Sequence, residues 1–187
     1  MSFSLNEIDA QAKKAARGAG YSWGLAEEAG KATVWLCPRG FDGVAELAAL
    51  LKQAPAEANC ALTQGTRLSD RALLARPDKR VLHRISQPIL LLPFLGLIAE
   101  RTRTGISMSW DGGSAKTDGQ SLAFKGSPPN STHDLTITDH VLPIKAQTKL
   151  TRATPDDRAW ATLASFAHRT YAPATEESRR LGAGDSQ

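Results

Sequence analysis

The sequence predicts an α+β or mixed α/β fold: an N-terminal three-helix segment, a small central sheet and a C-terminal amphipathic helix. Three observations lead there. Residues 1–53 are rich in alanine and repeat apolar residues at helical spacing behind capping side chains. The runs RVLHRI, ISMSW, SLAFKG and DLTITDHVLPI read as strands between turn residues. Near the end, Thr154-Pro155-Asp156-Asp157 opens a stretch with an apolar stripe.

The first helix starts at Ser4, whose hydroxyl can accept from early backbone N–H groups while Glu7 completes a capping box. Leu5, Ile8, Ala12, Ala15 and Ala19 share a face, and Gly18 and Gly20 can stop the helix. Ser22 caps a second helix with the stripe Leu25, Ala29, Ala32 and Leu36, ended by Pro38. Gly24 and Gly30 inside it each cost about 1 kcal/mol relative to alanine, so they point to close packing or a nearby ligand. Asp42 caps a third helix, with Val44, Leu47 and Leu51 inward, stopping before Pro55.

Residues 54–66 read as a loop, and LSDRALLAR as a short helix capped by Ser69 and broken at Pro77. RVLHRI reads as a strand and PILLL as a short buried one. Pro93 suits the first turn of a helix over PFLGLIAERT, closed by Gly105. ISMSW then enters a turn at Asp111-Gly112-Gly113. Strand, helix and strand at this spacing suggest a compact βαβ unit. GSPPNSTH, residues 126–133, is a loop between the last strands.

In the last helix Thr154 is the expected cap and Pro155 the first residue, with Trp160, Leu163, Ala164, Ala167 and Tyr171 facing the sheet or the helical trio. Residues 1–172 are expected to form one globular domain, with helices over about 1–53, the sheet within about 80–150 and the last helix at about 155–170. Residues 173–187 form a polar tail.

At 187 residues, with 41% hydrophobic and 22% charged residues, the chain has globular composition. Its formal charge of +4 is too small to imply nucleic acid by itself. Residues 61–110 hold eight basic side chains against three acidic. Without interleaved aromatics they are expected to scatter over several solvated faces. Cys37 and Cys60 have no metal-ligand neighbours and read as reduced, buried thiols of a cytoplasmic protein. MSFSLNEIDA lacks a basic segment leading into an apolar run, so no signal peptide is expected. ILLLPFLGLIA, the most apolar stretch, is too short to cross a bilayer and reads as core of a soluble protein.

The densest passage is GYSWGLAEE. Tyr21, Ser22 and Trp23 could line a pocket at a helix start, with Glu27 or Glu28 beside it; a helix–helix joint explains the same residues. Adjacent glutamates point about 100° apart on a helix and cannot act as a carboxylate pair on one substrate. Trp110 and Asp111 could sit at a strand end where α/β sheets bind ligands, or in a plain hairpin turn. His83, His133, His140 and His168 are dispersed; on one strand Asp134 and His140 would share a face, as would His133 and Asp139. No nucleophile elbow, dinucleotide loop or P-loop string is read in the chain, and no catalytic residue, metal or cofactor is assigned.

SLNEIDAQAKKAARGAGYSWGLAEEAGKA, PILLLPFLGLIA and ATEESRRLGAGD together resemble a family of uncharacterised bacterial proteins, a domain of unknown function with a GYSWG-LAEEAG-KA signature. The alanine-rich helices followed by PRGFDGVAEL are similar to the N-terminal region of the malate/L-lactate/sulfolactate dehydrogenases, which bind nicotinamide cofactors. Arg39, Gly40 and Asp42 match that region, and its Ser-His pair is missing. The residues favour a small accessory or binding protein without its own catalysis, contacting another protein or a second copy of itself beside Tyr21 and Trp23. The alternative is an enzyme or binding protein for a small anionic metabolite or a nicotinamide-type cofactor. A weaker one is nucleic-acid binding through residues 67–103. No membrane association is expected.

Overall fold

The structure is a computed structural model that describes residues 1–53, 59–72, 79–129, 132–141, 143–145 and 148–171. Its described part holds six α-helices and a five-stranded sheet, an α+β arrangement. The third helix stops at Leu51, before Pro55 as expected; the expected break at Pro77, part of the GSPPNSTH loop and the polar tail 173–187 lie outside the described residues.

The N-terminal helices form where their caps predict. A two-residue strand β1 (Phe3–Ser4) leads into α1 (Leu5–Gly18). The Ser4 N–H donates to the Glu7 carboxylate at 2.7 Å, and the Glu7 N–H donates to the Ser4 hydroxyl at 3.3 Å. These two bonds satisfy donors that every helix start leaves open. Ser4→Ala is expected to cost about 1 kcal/mol, read as a lower denaturant midpoint with an unchanged slope. α2 (Trp23–Leu36) is capped by Ser22, which accepts from the Leu25 N–H at 3.4 Å. A 3-10 turn over Cys37–Arg39, with Pro38 early in it, leads to α3 (Gly43–Leu51), capped by Asp42.

Several boundaries differ from expectation. Residues 61–66 are not loop, because α4 runs Ala61–Asp70. Its N-cap is Cys60, which makes no side-chain capping bond, so no polar residue announces the start. Ser69 lies near the end of this helix and caps nothing. After β2 (Lys79–Ser86), PILLL is not a strand: Pro88–Leu91 forms a 3-10 turn feeding α5 (Leu92–Thr102). A short apolar run fits a buried strand or a buried helical turn equally, and the proline at its start favours the turn. Arg103, in the left-handed conformation, closes α5; Gly105 begins the next strand. Thr154 and Pro155 precede the last helix, α6 (Asp157–His168). Asp156 is its cap, because its own N–H is held by the Asp42 carboxylate at 2.8 Å while its side chain accepts from Ala159 at 2.9 Å. Asp42 thus ties the starts of α3 and α6 together.

The sheet contains β3 (Gly105–Trp110), β4 (Gly113–Thr117), β5 (Leu122–Gly126) and β6 (Thr132–His140), in the order β2-β6-β3-β4-β5. Every neighbouring pair is antiparallel. The expected βαβ unit is therefore split: β2, α5 and β3 follow one another, but β6 lies between the two strands. β3 and β4 form a hairpin turning at Asp111-Gly112, with Gly112 at φ 89°. A separate strand, β7 (Arg152–Ala153), pairs with β1.

Cross-strand partners share a face. Leu135, Ile137, Ile106, Met108, Ala115 and Leu122 point into the core, beneath α5 and the 3-10 turn. The opposite face carries Ser107, Ser109, Ser114, Lys116, Lys125, Thr136 and Thr138, a polar surface. α6 packs mainly on the helical part, against α1 and α3. Its stripe narrows to Ala159, Leu163 and Ala167, while Trp160 stacks on Phe3 at 3.9 Å.

Candidate functional site

α2 turns one face inward and leaves the other over α5. Ala26, Ala29 and Thr33 are buried. Leu25, Glu28, Ala32 and Trp35, at steps of three and four, line an open groove whose far wall is Phe94, Leu97, Glu100 and Arg101 of α5. It has two adjoining parts, of about 290 and 390 Å³, which share Glu28, Phe94 and Leu97. The floor is apolar: Leu25, Ala32, Trp35, Pro93, Phe94 and Leu97. One end lies at Ser22 and Gly24; the other reaches Gly119 and Gln120, between β4 and β5. Gly96 is what lets α5 approach, since a side chain there would come within 2.9 Å of the Trp35 indole.

Arg39 closes the far end. Its guanidinium lies 3.6 Å from the centroid of Trp35 and donates to the carbonyls of Trp35 at 2.7 Å and Gly119 at 2.9 Å. Among the described residues its buried Nε has no hydrogen-bond partner. Burial pulls its pKa down, against the opposing pull of Glu100 and Asp118. Arg39 thus holds Trp35 flat against the groove wall, a geometry in which a guanidinium is attracted to the ring face. The rim is mixed but leans acidic: Glu27, Glu28, Asp70 and Glu100 against Lys31, Arg39 and Arg101. Lys31 is already bound to Glu28 at 2.7 Å.

Ser22, Glu27 and Glu28, read as candidates from the sequence, come together along this groove. Trp23 stands beside its end, 72% exposed, with Arg17 over its ring at 4.4 Å. Tyr21 points the other way, 2% exposed in the core, with its hydroxyl 3.7 Å from the Cys60 sulfur. Trp110 and Asp111 are at the β3–β4 hairpin and do not line the groove; the Trp110 indole donates to the Ser127 carbonyl at 3.0 Å and sits near Phe124. Trp35, Phe94 and Leu97 were not singled out by the sequence, and Arg39 was named only for its match to the dehydrogenase region. The usable signal was Trp35 and Arg39, four apart at the end of a helix.

Contrary to the expectation that no nucleophile-elbow string is present, residues 20–24, GYSWG, spell its Gly-x-Ser-x-Gly spacing. An elbow needs a strand before the serine and a helix after it. Here the segment joins two helices, the Ser22 hydroxyl is engaged as a cap, and among the described residues no histidine lines the groove. His83 meets Asp134 across β2 and β6 at 3.1 Å, where a bulge interrupts the register. Both side chains are well exposed, away from the groove. Hydrogen bonds from the Arg84 N–H and His83 hold the Asp134 carboxyl below its ordinary value. Among the described residues no group of three or more His, Cys, Asp or Glu side chains is placed to hold a metal ion. Cys37 and Cys60 are buried and free, and burial pushes the Cys37 thiol up to about 11. No described helix is long and apolar enough to cross a membrane.

The fold and groove define a small α+β protein with an elongated, apolar-floored surface site. The family described as "Protein of unknown function (DUF3726)" matches residues 3–84, the span from β1 into β2. The match supports kinship of this part with an uncharacterised family. No curated protein and no solved structure matches the chain.

Proposed function

We propose that this chain is an accessory binding protein without its own catalysis, and that the groove between α2 and α5 holds an elongated segment of a partner protein. One observation carries the reading: the apolar floor follows α2 from Leu25 to Trp35, walled by α5 and rimmed by charge. That length, about 15 Å at 1.5 Å per residue, suits side chains presented in series by a helix or strand. Trp35 and Arg39 are residue types that anchor interfaces. The acidic lean of the rim weighs against a small anion here. The two buried free thiols support a reducing, cytoplasmic setting.

A photo-crosslinking residue placed at Leu97, on the groove floor, and at Lys125, on the polar sheet face, tests the reading in the native host. Discrete protein adducts are expected from position 97 alone, and Trp35→Ala should reduce them at least tenfold. Equal labelling from both positions, or none from 97, contradicts it. Sedimentation of the purified chain distinguishes a second copy from a different partner.

A further inference from the structure

A second site lies on the other side of α4, independent of the groove. Thr66, Ser69 and Asp70 face the groove, whereas Gln64, Arg67, Leu68 and Arg71 line a cleft of about 360 Å³ against Arg80, Val81 and Leu82 of β2. Arg67 lies in the last turn of α4, and Arg71, four residues on, is the cap residue that follows the helix. Arg80 lies opposite Ile137 in the register, so it belongs to the core-facing side of an edge strand. The basic stretch that was expected to scatter is therefore partly gathered.

We propose that this cleft is an oxyanion site that takes a phosphoryl group. Among the described residues its lining contains three guanidinium groups and no carboxylate. Among the described residues none of the three arginines has an ion-pair partner, and the Arg80 Nε is buried with no hydrogen-bond acceptor. Like charges one turn apart repel, a third facing them adds to the repulsion, and an unmet buried donor costs further stability. A phosphoryl group relieves all three: it brings negative charge and several acceptor oxygens, which guanidinium forks match in a bidentate manner. Leu68 and Leu82 form an apolar wall that strengthens the attraction and can hold the organic part of a phosphorylated compound.

Calorimetric titration with inorganic pyrophosphate, and separately with a single-stranded oligothymidylate of about 12 nucleotides, tests the site. Binding is expected to weaken at least tenfold in Arg67→Gln/Arg71→Gln, whose exposed positions leave folding intact by circular dichroism, and in Arg80→Gln. A Lys116→Gln/Lys125→Gln protein, with the same charge removed from the polar sheet face, should bind as the parent does. Binding confined to pyrophosphate assigns a small phosphorylated compound. Tighter binding of the oligonucleotide, rising with its length and falling steeply with salt, assigns a polynucleotide backbone. Either supports the oxyanion site. No binding of either probe, or an equal loss in the control protein, overturns it.

Discussion

Gly18→Ala is expected to destabilise the protein by about 3 kcal/mol, lowering the melting temperature by roughly 6–12 °C. The end of α1 lies so close to α6 that a methyl group at residue 18 would fall 1.8 Å from the Phe166 carbonyl oxygen. That atom belongs to the backbone of a packed helix and cannot rotate away. One helix would have to move, loosening Ala15, Ala16 and Leu163, all buried. Gly24→Ala is the matched control. Nothing lies within 4 Å of a side chain there. The exchange should be neutral or stabilising by up to about 1 kcal/mol through helix propensity. Denaturant unfolding of both variants makes the comparison; equal effects would contradict the close packing of α1 on α6.

Glu46→Gln is expected to raise stability at pH 8 and to change little near pH 4.5. Burial pushes the Glu46 carboxyl up to about 7, and the nearby Asp42 adds to the rise. The folded protein therefore holds a proton that the unfolded chain releases near its ordinary value of 4.5. The linked stability is fully present below about pH 4.5 and is lost as pH rises through about 7. A carboxyl displaced this far carries up to about 3 kcal/mol, which sets the largest gain glutamine can give at pH 8. Unfolding curves between pH 4.5 and 8 should converge at the acid end. A constant difference across the range would show that Glu46 does not titrate with folding.

The helical caps were legible because they are local. Ser4, Ser22 and Asp42 each act within three residues of themselves. What failed was not local. α4 begins without a capping side chain, so its start was invisible, and the pairing of Arg67 with Arg71 stayed hidden with it. β6 enters between β2 and β3 from about 50 residues beyond β2, and nothing in RVLHRI or ISMSW announces it. The candidate site was half legible. Ser22, Glu27 and Glu28 sit at a conspicuous helix start, but Phe94 and Leu97 looked like ordinary core within an apolar run. Only the packing of α5 on α2 turns them into a groove wall.

The groove between α2 and α5 is the proposed contact surface. The chain has four tryptophans, Trp23, Trp35, Trp110 and Trp160, so 5-fluorotryptophan labelling gives a separate fluorine signal for each. On addition of the partner isolated by crosslinking, the Trp35 signal should shift while those of Trp110 and Trp160 stay in place. A shift at Trp110 with Trp35 unmoved would put the contact on the sheet and contradict the account.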